Sequence, residues 1–128
     1  MLPTIKENFS RAFFAFVFSM ITIGILSFLS FETPYGLFLA GSFGSSMVLL
    51  FGYPESPFAQ PKNVFFGHLI TALVGVVFAE YIDLPLYVNI SMAVGAGVFF
   101  MIFCNVVHPP AGGNPIIVIV AGDRKSVV

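Results

Sequence analysis

Few residues in this chain could do chemistry, and most of them stand in clusters. Histidine occurs twice, as His68 and His108, and cysteine once, as Cys104. Glycine gathers with hydroxyl and amide side chains in two places: Gly41-Ser42-Phe43-Gly44-Ser45-Ser46, and His108-Pro109-Pro110-Ala111-Gly112-Gly113-Asn114-Pro115. The histidines and the cysteine lack the close ligand spacing of a metal site. No Ser-His-Asp arrangement or carboxylate pair is present, and the glycine clusters have neither the P-loop lysine nor the Rossmann spacing. The expectation is therefore no catalytic residue, no metal and no cofactor. The clusters do offer backbone that can leave the helix, and bare amides beside neutral donors are suited to holding a small anion.

The elements that must position these clusters follow from composition. Of 128 residues, 58% are hydrophobic and only 9% charged, against about 25% charged in soluble domains. The reading is an all-α polytopic membrane protein forming one domain, 1–128. A net charge of -1 leaves no basic surface for nucleic acid. With one cysteine there is no internal disulfide, and Cys104 reads as a small buried apolar residue. No formal charge lies between Asp83 and Asp123, and that stretch as one helix would extend roughly 58 Å, about twice the hydrocarbon thickness. The chain must turn inside it, and the prolines and glycines after His108 mark the place.

In chain order, a first span is expected from about Ala12 to Phe31, ended by Glu32, Thr33 and Pro34. Its length and the lack of a small-residue cleavage site separate it from a secretory signal. A second segment, Tyr35 to Phe51, is one distorted helix or two half-helices broken at Gly41 and Gly44. The proline-rich stretch Gly52 to Asn63 is a loop. A third segment, Asn63 to Ala79, carries Gly67, Thr71, Gly75 and Ala79 at four-residue spacing, a stripe that lets another helix approach closely. A fourth runs from Leu86 to Val107. Ile116 to Ala121 is too short to cross alone, so it joins the residues from Pro109 onward or forms a re-entrant half-span. About five transmembrane or half-spanning helices result.

Lys6, Arg11 and Lys62 against Glu32, Glu80 and Asp83 put the amino terminus and the proline loop in the cytoplasm. Asp123-Arg124-Lys125 disagrees, which implies a re-entrant last segment or a further helix. Each half pairs a long helix with a glycine-broken segment, entered from opposite sides. That pattern predicts an inverted repeat whose last helix is missing, set against two unrelated glycine-rich turns.

Three motifs carry a resemblance. Gly41-Ser42-Phe43-Gly44-Ser45-Ser46 followed by Val48-Leu49-Leu50-Phe51, then Ser56-Pro57-Phe58-Ala59-Gln60-Pro61-Lys62-Asn63 with Gly67-His68, then His108-Pro109-Pro110-Ala111-Gly112, resemble the HPP family of integral membrane proteins. Plant plastid and cyanobacterial members of that family are nitrite transporters, and other members are fused to CBS domains, which this chain lacks. The resemblance implies a transporter of nitrite or a similar small monovalent anion. It also implies a bacterial inner membrane, with a plastid-type membrane as the alternative. Two departures are visible: Met47 stands where the family usually has a small residue, and the family's last apolar helix is absent after Gly122.

A small anion in a bilayer needs positive potential without a buried Lys or Arg, which costs several kcal/mol. Helix starts after Gly44 and after Pro110, facing each other, would supply it. The substrate-binding residues expected on that basis are Gly41, Ser42, Gly44, Ser45, Ser46, His68, His108, Gly112, Gly113 and Asn114. His68 and His108 would add proton linkage, or would act as hydrogen-bonding glue between helices. Gln60, Lys62 and Asn63 would form a cytoplasmic entrance, although a capped helix start explains Asn63 equally well. So few segments can hardly enclose a path, so a homo-oligomer is expected, a dimer first, with the stripe of the third segment as its interface. The competing function is a non-transporting oligomeric scaffold or sensor module.

Overall fold

Helix is the only regular structure among the described residues of the computed structural model, which cover 5–33 and 41–127, with side chains as far as residue 122. The helices are α1 (Ile5–Phe31), α2 (Gly41–Met47), α3 (Pro61–Tyr81), α4 (Leu86–Phe103) and α5 (Asn114–Val127). A π-helical turn, Val48–Gly52, continues α2, and 3-10 turns occupy Pro57–Ala59 and Pro109–Gly113. α1, α3 and α4 are each long and apolar enough to cross a membrane, and Gly41–Gly52 is a shorter apolar helix. Five α-helices among the described residues, three of them able to span, make the all-α membrane architecture expected. The chain divides into two compact units, Met1–Ser56 and Pro57–Val128.

In the first unit α1 begins at Ile5, about two turns before the expected Ala12, so Lys6 and Arg11 ride on the helix itself. Arg11 Nη1 lies 3.5 Å from Glu55 Oε1, and the guanidinium sits 5.4 Å from the Tyr53 ring centre. Phe18 and Phe51 stack at 5.8 Å. The loop after the π turn therefore returns to the level at which α1 starts, so both belong at one membrane face.

The first glycine cluster is not a break. α2 runs unbroken from Gly41 through Gly44 to Met47, and no helix starts after Gly44. Tyr35 to Ala40, the expected beginning of this segment, lie outside the described residues. The physical reason is the solvent: two glycines cost a helix about 1 kcal/mol each, whereas each amide left bare in hydrocarbon costs several. Ser42 and Ser46, one turn apart, are buried, and the Ser46 hydroxyl donates to the Ser42 carbonyl at 3.1 Å. The small residues here serve packing.

In the second unit α5 lies parallel to α3, in a register that can be followed step by step. A Cβ on Gly67 would lie 2.9 Å from His108 Cβ, and one on Gly75 would lie 3.0 Å from both Pro115 Cα and Val118 Cβ. One turn further, a Cβ on Gly122 would sit 3.7 Å from that of Ala79. Gly67, Thr71 and Gly75 are thus buried within the chain, against His108, α4 and α5, and Ala79 is half-buried beside Gly122, so the chain itself covers most of the stripe expected as an oligomer interface. α4 packs on the same helix, with Gly97 against Thr71 Cγ2 and the Asn89 amide donating to the Phe78 carbonyl at 3.1 Å.

α4 stops at Phe103, four residues before the expected Val107, because Asn105 takes a left-handed conformation, φ 56. The Val106 amide then donates to the Met101 carbonyl at 2.9 Å, and the Asn105 amide to Ile102 at 3.1 Å. That is the Schellman pattern, with Asn where glycine is commonest. Cys104, at this end, is exposed and not buried, because the cap turns it out of the helix packing.

Candidate functional site

The second cluster, unlike the first, does leave the α-helical path. Pro109, Pro110 and the glycines take a tighter 3-10 turn, and α5 begins at Asn114, three residues beyond the expected start at Ala111. Prolines lack the amide that an α-helix would need there, and a 3-10 turn tolerates them at its first positions. The turn is pinned once to the first turn of α3 and once to the 3-10 turn before it. Asn63 Nδ2 donates to the Val107 carbonyl at 2.7 Å, and His108 Nδ1 lies 2.8 Å from the Phe58 carbonyl.

Between α3 and the start of α5 the side chains form one hydrogen-bonded group. Asn114 Nδ2 is 2.9 Å from His68 Nδ1 and 3.1 Å from Thr71 Oγ1, and the Thr71 hydroxyl donates to the Gly67 carbonyl at 2.7 Å. The His68 and His108 rings lie 5.0 Å apart between centres. His108 and Thr71 are 0% exposed and Asn114 7%, while His68 is half-buried.

The direction of these bonds follows from what each atom can do. A carbonyl oxygen only accepts, so His108 Nδ1 carries the hydrogen toward Phe58. Thr71 has given its hydrogen to Gly67, so its oxygen accepts from Asn114, which fixes the amide with nitrogen toward Thr71. The second amide hydrogen then goes to His68 Nδ1, which accepts. In their neutral forms the two histidines are held in opposite tautomers, His68 with hydrogen on Nε2 and His108 with hydrogen on Nδ1.

Of the expected site residues, His68, His108 and Asn114 are brought into this group, and Gly112 and Gly113 are in the adjoining turn. A Cβ on either glycine would meet nothing within 4 Å. Gly41, Ser42, Gly44, Ser45 and Ser46 belong to the other unit, where Ser42 and Ser46 are buried and Gly41, Gly44 and Ser45 exposed. Of the expected entrance, Gln60 is the N-cap of α3 without a side-chain capping bond, and Lys62 is exposed on its first turn. Asn63 neither caps the helix nor stands free: it ties α3 to the HPP turn. Thr71 is the member that sequence reasoning missed, having counted it only as a small stripe residue. The signal was present, because Thr71 is three residues after His68 and so shares its helix face.

Against known proteins, the family model described as "HPP, transmembrane region" matches residues 4–127. A transmembrane protein of Dictyostelium discoideum is 30% identical over 127 residues, covering 94% of this chain and 41% of the relative. A second from the same organism is 37% identical over 90 residues, covering 68% of this chain and 32% of the relative. The chain thus spans less than half the length of either. No solved structure matches. With the histidine-proline-proline turn packed on the glycine face of α3 and a match running over almost the whole sequence, this chain belongs to the HPP transmembrane family.

Proposed function

We propose that this integral membrane protein carries nitrite or a similar small monovalent anion, as a carrier or channel-like path, with the solute held at the HPP turn. The supporting observation is the group of buried Thr71, His108 and Asn114 with half-buried His68 at the start of α5: polar, free of lysine and arginine, and set in otherwise apolar helices. A helix start carries about half a positive charge, and the glycine backbone beside it leaves room for a solute. Neutral donors with a helix dipole suit an anion that must bind weakly enough to leave again. Nitrite in particular enters through the family resemblance. Ser42 and Ser46 enter this reading as buried hydroxyls of the first unit, and Lys62 as the charge that draws anions toward the start of α3.

The reading includes proton linkage through the histidines, a homo-oligomer with a dimer first, an inverted repeat, and residence in a bacterial inner membrane with the amino terminus cytoplasmic. What supports the repeat is the order of elements, α1 followed by the α2–π segment and α4 followed by the 3-10 turn and α5. The test is uptake into liposomes holding the purified protein. Nitrite-dependent flux above that of empty vesicles is expected, faster at acid pH, with the pH dependence lost in both His68→Ala and His108→Ala. Flux no greater than in empty vesicles points instead to a scaffold or sensor. A pH profile unchanged in both variants removes the proton linkage alone.

A further inference from the structure

We propose that the first unit holds a site for one anionic phospholipid, in a cavity between the start of α1 and the residues that follow the π turn. The cavity measures about 340 Å³ and is walled by Asn8, Arg11, Ala12 and Ala15 of α1 together with Gly52 and Tyr53. The four α1 residues follow the i, i+3, i+4, i+7 spacing of one helix face. That face changes character along its length. Asn8 and Arg11 offer an amide and a guanidinium, whereas Ala12, Ala15 and Gly52 offer little or no side chain. Farther along, Phe18 and Phe51 stack at 5.8 Å, so α1 and the π turn touch beyond the cavity and leave a gap where their residues are small. A Cβ on Gly52 would meet nothing within 4 Å.

The bilayer gives this gradient a direction. From Ala12 to Phe31 no residue is charged, and as helix that run spans roughly 30 Å, the thickness of the hydrocarbon. Arg11 therefore stands at its border, with Asn8 in the headgroup layer and Ala15 among the acyl chains. About 10 Å of helix separates Asn8 from Ala15, so a polar end and an apolar end lie within reach of one lipid. Among the described residues Arg11 is the one charge in the cavity wall, which matches one phosphodiester. Its contact with Glu55, 3.5 Å between two exposed side chains, is longer than the ~2.7–2.9 Å of a hydrogen-bonded charged pair. Such a contact uses little of a group with five N–H donors. Lys6 and Glu7, the other charged residues at this end of α1, carry opposite signs and leave the choice of headgroup to Arg11. The site lies wholly within the first unit, and its proposal does not depend on nitrite.

The experiment is thermal unfolding of the full chain in a nonionic detergent, without nitrite, titrated with phosphatidylglycerol or with phosphatidylcholine of the same acyl chains. Inorganic phosphate and soluble glycerophosphoglycerol serve as chainless controls. Binding to the folded state alone raises the unfolding temperature saturably. This is expected at lower concentration with phosphatidylglycerol than with phosphatidylcholine, and with neither chainless anion. Arg11 is exposed, so Arg11→Gln should fold normally and raise the phosphatidylglycerol midpoint about fivefold, the scale of one cation at an anionic membrane surface. Gly52→Leu, which puts a side chain into the gap, should raise it as well. Glu55→Gln removes the ion pair but keeps the guanidinium, and should leave the midpoint unchanged or lower. Equal responses to the two lipids, an equal response to the chainless anions, or an Arg11→Gln or Gly52→Leu titration like that of the unaltered chain overturn the proposal. So does the same loss in Glu55→Gln as in Arg11→Gln, which would make the ion pair, and not a lipid phosphate, the business of Arg11.

Discussion

At the scale of single residues, the HPP turn rests on one glycine and one hydroxyl. Gly67→Ala would drive a methyl group against His108 Cβ at 2.9 Å and the Val106 carbonyl at 3.2 Å. Such overpacking should cost about 1–3 kcal/mol, seen as a lower unfolding temperature in detergent. Gly44→Ala meets nothing within 4 Å and lies inside α2, so it should raise stability by about 0.5–1 kcal/mol. The opposite signs of these two substitutions separate a packing glycine from a mere helix weakener. At Asn105, glycine should be neutral or stabilising and valine destabilising by about 1–2 kcal/mol, since the left-handed conformation rejects β-branched side chains. His68, His108 and Asn114 were legible because polar residues in an apolar run must find partners. Thr71 was not, because a threonine bonded to its own helix and one bonded across a helix interface look alike in sequence.

At the scale of elements, the number and order of helices were legible from apolar length and charge, and the ends were less so. α3 starts at Pro61 and not Asn63 because proline is well suited to a first helical position. α4 ends early because of a capping geometry that a bare Asn-Val-Val sequence does not announce. The two glycine clusters read alike and folded differently. The difference is proline: Pro109 and Pro110 remove amides and force a turn, whereas Gly41 and Gly44 merely permit one, and an apolar solvent withholds the permission. Replacing Gly75 by leucine should part α3 from α5, because Pro115 and Val118 lie within about 3 Å of its Cβ position. The expected result is loss of a cooperative unfolding transition, while leucine at Gly44 keeps it.

At the scale of the whole chain, α5 is long enough to matter for topology. Its 14 residues extend roughly 21 Å, alongside α3 from Thr71 past Ala79. A segment that follows α3 in this way is expected not to return to the side it entered from, which predicts position 125 on the membrane face opposite Lys62. In a Cys104→Ala background, cysteines placed at 62 and 125 should react with an impermeant maleimide from opposite sides of sealed vesicles. Labelling from one side would make the segment re-entrant. Lipid contact was legible from composition: Phe13, Phe14, Phe16, Phe28, Phe99 and Phe103 are all exposed on helices that cross apolar solvent. The partner of the small-residue stripe was not, since the same spacing serves an oligomer or the chain's own last helix.

The claim on which the functional account turns is that the hydrogen-bonded group at the HPP turn handles the anion. Thr71→Val keeps the shape of a fully buried side chain while removing the hydroxyl that orients Asn114, and Asn114→Leu removes the amide itself. The decisive measurement is nitrite uptake by liposomes containing each variant, at protein densities matched by unfolding temperature and amount. The account predicts uptake reduced by about tenfold or more for both, the scale of a lost buried hydrogen bond. Uptake at the unaltered rate in both variants would contradict it.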